Sequence, residues 1–282
     1  MSDTWPFSHC ETLVREGDRD RYFATLFAPA DKRPFLFALY AFSLEAARVR
    51  ESVSDPMPGE IRLQWWRDAL QGEARGNVRA NPVAAALDDT IVRFRLPRQA
   101  LVDLVDARTF DLYDDPMPTI ADLEGYAGET SSALIRLAGI VLNDGTDPGA
   151  ADAAGHAGVA YAIAGLLRAF PWHARRGQVY LPAQIFNRYG VSRDDVVLGR
   201  GGPGFPAALA ELREIARDHL RRARALRATI PPQVLPAFLP TALVEPYLAR
   251  TERAGDPFRA VIELPQWRRQ IILWRAARAG RF

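Results

Sequence analysis

The 282-residue sequence has one cysteine, Cys10, and one lysine, Lys32. A single thiol excludes an intramolecular disulfide and argues against a cysteine-based zinc or iron–sulfur site. The four histidines, His9, His156, His173 and His219, show no HxxxH or HExxH spacing, so no pair shares a helix face as metal ligands do. There is no GxGxxG and no P-loop, which removes the common nucleotide-binding signatures. No apolar run approaches the ~20 residues that span a bilayer. The best candidate, residues 158–167, is stopped by Arg168. The opening Met1-Ser2-Asp3-Thr4-Trp5 lacks the basic and apolar regions of a signal peptide. Net charge is scarce as well: 36 basic against 34 acidic side chains leave +2, which argues against a dedicated nucleic-acid binder. These absences predict a cytoplasmic protein, at most peripheral at the inner membrane.

What is present is helical. Hydrophobic residues make up 48% and charged residues 25%, so the chain is globular rather than disordered. Nearly all of its positive charge is arginine, which fits a GC-rich genome and also supplies rigid forks for carboxylate or phosphate. Phe35, Leu39, Phe42, Ala46 and Val49 recur at helical intervals over Arg33 to Glu51. Leu63, Trp66 and Leu70 do the same to Gln71. Asn81-Pro82 and Pro97 read as helix starts. Thr119-Ile120-Ala121-Asp122 reads as a capping box with Asp in place of Glu. Residues 148–170 are rich in small side chains, which suits close helix packing. Ala207 to Ile230 carries an apolar stripe opposite arginines. Residues 199–204 read as a loop, and two further helical patterns follow it. No composition break divides the chain. The prediction is one all-α domain over residues 1–282.

Several stretches then resemble one family in order and spacing. They are Arg21 to Pro29, Leu39-Tyr40-Ala41-Phe42, Leu63-Gln64-Trp65-Trp66-Arg67, Asp122-Leu123-Glu124-Gly125-Tyr126 and Gly177-Gln178-Val179-Tyr180-Leu181-Pro182. Together they resemble the squalene/phytoene synthase family of head-to-head prenyltransferases. That resemblance implies an isoprenoid-synthase-type helical bundle with a central cavity. It also implies two aspartate-rich motifs on facing helices, holding Mg²⁺ ions that grip substrate diphosphates. Carboxylates one helical turn apart point into the cavity together, and Mg²⁺ takes such oxygens as ligands.

The chain departs from the family at those motifs. The leading aspartates of the first motif fall on Ala47 and Arg48, and only Glu51 remains acidic. The aspartates of the second fall on Ala169 and His173. Five carboxylates would bring about −5 of charge to the metal positions. Arg48, Glu51 and a neutral His173 sum to zero, and Arg50 adds one positive charge. Such a site should repel Mg²⁺. Pro171 suggests that the second helix kinks or ends there. Residues 44–55, 167–176 and 236–240, with Trp274-Arg275, resemble the complex I assembly-factor branch of the family and its bacterial relatives.

The resemblance therefore implies a catalytically degenerate protein acting in respiratory complex I assembly, with a complex I subunit or assembly intermediate as partner. The site expectation is an anionic-ligand pocket formed by Tyr40, Arg48, Arg50, Glu51, Arg168, His173 and Tyr180. Its ligand would be a prenyl or phospholipid head group held by arginine, without a metal or cofactor. Two alternatives stay open. One is a Mg²⁺-dependent prenyltransferase condensing two isoprenyl diphosphates. The other is an isoprenoid or lipid carrier. Arg48 and Glu51 also admit a plain helix-surface ion pair. Arg221, Arg222, Arg224 and Arg227 read as a solvated face that could dock on anionic lipid or an acidic partner.

Overall fold

A computed structural model describes residues 5–260 and 262–282. Its helices run α1 (Trp5–Gly17), α2 (Arg19–Thr25), α3 (Arg33–Arg48), α4 (Pro56–Gln71) and α5 (Pro82–Phe94). They continue with α6 (Arg98–Arg108), α7 (Ile120–Ala127), α8 (Ala133–Leu142), α9 (Ala151–Arg175) and α10 (Ala183–Arg188). The chain closes with α11 (Arg193–Val197), α12 (Phe205–Ala225), α13 (Leu235–Phe238), α14 (Val244–Glu252) and α15 (Gln266–Ala279). No strand occurs among the described residues, so the all-α expectation holds. Among these residues no helix is long and apolar enough to cross a membrane.

Local chemistry sets many of the boundaries. The Asn81 side chain accepts from the Val83 and Ala84 amides, and Pro82 opens α5. Thr119 and Asp122 form the reciprocal capping box at the start of α7. Residues 128–132 form a π turn between α7 and α8. The long helix α9 packs against α12, α14 and that turn. Gly158 permits the approach, since a Cβ there would lie 2.4 Å from the Ser132 backbone. Phe42, Leu36 and Leu39 of α3 are fully buried, and Trp66 packs edge-on against Phe42 at 5.0 Å. Trp66 is thus the core member of the Trp65–Trp66 pair, with Trp65 half-buried beside it.

Two expectations need correction. The periodicity from Arg33 is extrapolated to Glu51, but α3 ends at Arg48 and a 3₁₀ turn covers Arg50–Ser52. The Val49 amide bonds back to the Ala46 carbonyl, and the Ser52 hydroxyl caps Val49, which tightens the chain out of the α-helix. Arg48 and Glu51 therefore do not share a helical turn, and no ion pair joins them. The second concerns the kink or end expected at Pro171: α9 does not end there. The helix continues to Arg175, with one hydrogen bond forgone at the proline. Phe170, packed against Phe205 and Phe258 at 5.4 and 5.3 Å, anchors it there.

Candidate functional site

The site begins at the start of α2. Asp18 caps the helix by accepting from the Arg21 amide, and its carboxylate pairs with the Arg21 guanidinium at 2.8 Å. Arg21 in turn lies over the rings of Tyr40 and Tyr161, at 5.5 and 5.0 Å. Burial pushes the Tyr40 hydroxyl up to about 12, against the pull of Arg21. Asp20 sits in the first turn of α2 and is 3% exposed. Arg168 reaches it from α9 at 3.3 Å and Arg269 from α15 at 3.6 Å. The Tyr247 hydroxyl of α14 donates to Asp20 at 2.8 Å, and Arg168 stacks on the Tyr247 ring at 4.7 Å. Burial raises the Asp20 carboxyl pKa, opposed by Arg168 and Arg269.

Asp18, Asp20, Arg21, Tyr161, Arg168 and Arg269 line a cavity of about 770 Å³, together with Leu44, Ala169 and Trp172, while Tyr40 and Tyr247 touch that lining through Arg21 and Arg168. In its inner part three arginines face two carboxylates. Arg19 and Arg175 at the rim oppose Glu16 and Glu263, so the lining keeps one net positive charge.

A second cluster lies around Asp111. Arg108 pairs with its carboxylate at 3.1 Å, and the Tyr126 hydroxyl donates to it at 2.8 Å. Arg108 also donates to the Tyr126 oxygen. Tyr180 packs beside Tyr126 and Phe110, and His173 packs on Tyr180 at 4.7 Å between ring centres. Burial, helped by Arg176, pulls the His173 imidazole down to about 4. Burial and the Asp111 charge push the Tyr180 hydroxyl upward. Arg50 lies at the edge, bonded to Asp114 at 3.3 Å and to the Val53 carbonyl.

The seven residues read from the sequence as one pocket thus fall in several places. Arg168 lines the cavity around Asp20, and Tyr40 reaches it only through the Arg21 guanidinium above its ring. Arg50, His173 and Tyr180 belong to the Asp111 cluster. Arg48 is exposed, its guanidinium laid against Gly17. Glu51 is exposed in the 3₁₀ turn. Asp18, Asp20, Arg21, Tyr161, Tyr247 and Arg269 escaped the sequence reading as site residues. The available signal was Asp18-x-Asp20-Arg21 at a helix start, which places two carboxylates and a guanidinium in one turn.

The residues present do not fit Mg²⁺. Ala47 and Ala169 offer no oxygen, Glu51 faces solvent, and Asp18 and Asp20 are engaged by guanidinium groups. Among the described residues no group of three or more His, Cys, Asp or Glu is placed to hold a metal ion. The arrangement instead favours anions. Of the buried guanidinium nitrogens without a hydrogen-bond acceptor among the described residues, the Nε of Arg269 borders this cavity, with only the Asp20 ion pair at 3.6 Å facing it. Such a donor is open to an acceptor from a ligand.

With this geometry in place, known proteins sharpen the assignment. The squalene/phytoene synthase family profile matches residues 14–275. A human NADH dehydrogenase (ubiquinone) complex I assembly factor 6 is 34% identical over 250 residues, covering 88% of this chain and 75% of that protein. A 15-cis-phytoene synthase of Synechococcus elongatus is 25% identical over 283 residues, covering 95% of this chain and 91% of the enzyme. A crystal structure of a dehydrosqualene synthase superposes with a TM-score of 0.79 at 17% identity, over 98% of this chain and 96% of that one. That last likeness establishes the fold, the all-α isoprenoid-synthase bundle.

Proposed function

The chain belongs to the squalene/phytoene synthase family, and on that premise we propose that it is a catalytically degenerate member acting in respiratory complex I assembly. It works by binding rather than by metal-dependent condensation. The observation that carries this reading is the exchange at the two metal motifs. Ala47 and Ala169 stand where the resemblance calls for carboxylates, and Arg168, Arg21 and Arg269 line the cavity. A diphosphate ionises only when its leaving charge is neutralised, and this site provides no cluster of metal ligands for that step. Guanidinium forks still bind phosphate directly. The ligand class is therefore a phosphate-bearing molecule with an apolar portion, seated against Tyr161, Leu44 and Trp172. The human relative named as complex I assembly factor 6 supports the assembly role. The partner would be a complex I subunit or an assembly intermediate.

Three experiments test this reading. Deleting the gene should lower the amount of assembled complex I, and normal assembly would remove the role. Incubating the purified chain with farnesyl or geranylgeranyl diphosphate and Mg²⁺ should release no diphosphate above background. Turnover would instead restore the prenyltransferase reading suggested by the phytoene synthase relative. Mass spectrometry of the native protein should find a phosphate-bearing lipid if the cavity acts as a carrier.

A further inference from the structure

Helix α15 presents two unlike faces. Arg269, Leu273 and Ala276 point inward and are buried, with Arg269 reaching Asp20. On the outer face Trp267, Ile271 and Trp274 are 63%, 42% and 51% exposed. They fall at i, i+4 and i+7, a single stripe along the helix. Large apolar side chains scattered singly on a surface need no explanation, but a contiguous stripe marks an interaction site. Exposed arginines flank it: Arg268, Arg275 and Arg278, with Arg281 just beyond the helix. Residues 264–282 include no carboxylate side chain.

Grooves on both sides of the stripe repeat this chemistry. One, of about 850 Å³, runs between the end of α12 and α15 and is lined by Arg224, Arg227, Arg275, Arg278 and Arg281 beside Trp274. The other, of about 360 Å³, lies towards α14 and is lined by Arg250, Arg253 and Arg268. No Asp or Glu side chain lines either groove. The arginine run at the end of α12 and in the 3₁₀ turn after it divides accordingly. Arg221 and Arg222 are taken up by Asp218. Arg224 and Arg227 hold the Phe282 and Gly280 carbonyls and turn towards the groove.

We propose that α15 and its two arginine-lined grooves form a docking surface for an anionic lipid bilayer. The indole rings and Ile271 enter the headgroup boundary, where amphipathic aromatic rings are favoured. The grooves receive lipid phosphates, and the positive potential draws the face to anionic membrane. The choice of lipid over an acidic protein rests on the pairing of the stripe with arginine that no Asp or Glu in the grooves matches, on both flanks, which is the pattern of an interfacial helix. Docking would bring the membrane against the helix whose inner face helps to build the Asp20 cavity.

The test uses the full chain and sedimentation with vesicles of phosphatidylcholine, with and without phosphatidylglycerol. The chain should sediment with the anionic vesicles, be released by salt, and stay in solution with phosphatidylcholine alone. Trp267→Ala/Trp274→Ala should weaken partitioning about tenfold or more. Arg275→Gln/Arg278→Gln should weaken it about thirtyfold, at roughly fivefold per arginine. Both variants should keep the parent melting temperature, because the altered side chains are exposed. Absence of binding to the anionic vesicles would overturn the proposal, as would binding that neither variant weakens. Capture of poly-glutamate that the arginine pair weakens and the tryptophan pair leaves intact would put an acidic protein in place of the bilayer.

Discussion

Asp20 and Asp111 are both buried carboxylates that pair with arginine and accept a tyrosine hydroxyl, yet they serve different ends. Asp111 has one guanidinium, Arg108, and is enclosed by Tyr126 and by the Gln178 side chain, which donates to its backbone carbonyl. Asp20 is shared between Arg168 and Arg269 and borders the large cavity. One centre balances charge within the protein. The other leaves guanidinium in excess where a ligand has room. A buried ion pair by itself is weak evidence of function, and the difference lies in the surplus and the space.

The largest expected effect breaks the enclosed centre. Asp111→Ala strands the Arg108 charge in the interior and should cost about 3–5 kcal/mol. Chemical denaturation should show this as a lower midpoint with an unchanged slope, and added sulfate should not restore it, because the centre is enclosed by side chains.

His173 comes next, on the same side of the comparison. Burial holds its imidazole at about 4, below the ordinary 6.5, so folding favours the neutral ring. Its contribution is complete above about pH 6.5 and is lost as pH falls towards about 4. The full amount is on the order of 3 kcal/mol. A His173→Gln variant should lose that part of the acid slope in stability measured against pH. An identical slope in both proteins would remove His173 from the enclosed cluster.

Asp20→Asn should cost less, about 2 kcal/mol, because the cavity admits solvent and counter-ions to Arg168 and Arg269. Sulfate or phosphate should recover most of that loss by taking the place of the carboxylate. The melting temperature with and without sulfate reads this directly. Equal and unrecoverable losses at Asp20 and Asp111 would mean that the two centres are alike.

Much of the fold was legible in the sequence, because local rules govern it. Asn81, Thr119 and Asp122 act as the caps their spacing indicates. Leu212, Ala216, Leu220 and Ala223 of the α12 stripe are buried as periodicity predicts, although the helix ends at Ala225 rather than Ile230 and a 3₁₀ turn follows. The small residues of α9 are buried as their composition suggests. The family resemblance likewise agrees with the match over residues 14–275. The site was less legible, because its contacts are long-range. Asp20 meets Arg168, Tyr247 and Arg269 across most of the chain length, and no spacing rule encodes that meeting. Motif alignment pointed to Arg48 and Glu51, but α3 ends at Arg48 and sends both outward. The sequence displayed the lost carboxylates but not which arginines would face the cavity.

The smallest expected effect on stability bears most directly on the comparison. The Arg168 side chain is 36% exposed, so screening leaves its pair with Asp20 worth about 1 kcal/mol or less. Arg168→Gln should therefore barely move the melting temperature. Inorganic pyrophosphate is the probe, since it presents the phosphate chemistry without an apolar tail. Calorimetric titration should show Arg168→Gln weakening its binding about tenfold, the scale of one charge-assisted hydrogen bond. Arg50→Gln is the matched control, because Arg50 sits beside Asp114 in the Asp111 cluster. It should leave pyrophosphate affinity unchanged. If Arg50→Gln weakened binding as much as Arg168→Gln, both arginines would serve one ligand, and the single pocket expected from the sequence would replace the two separate centres.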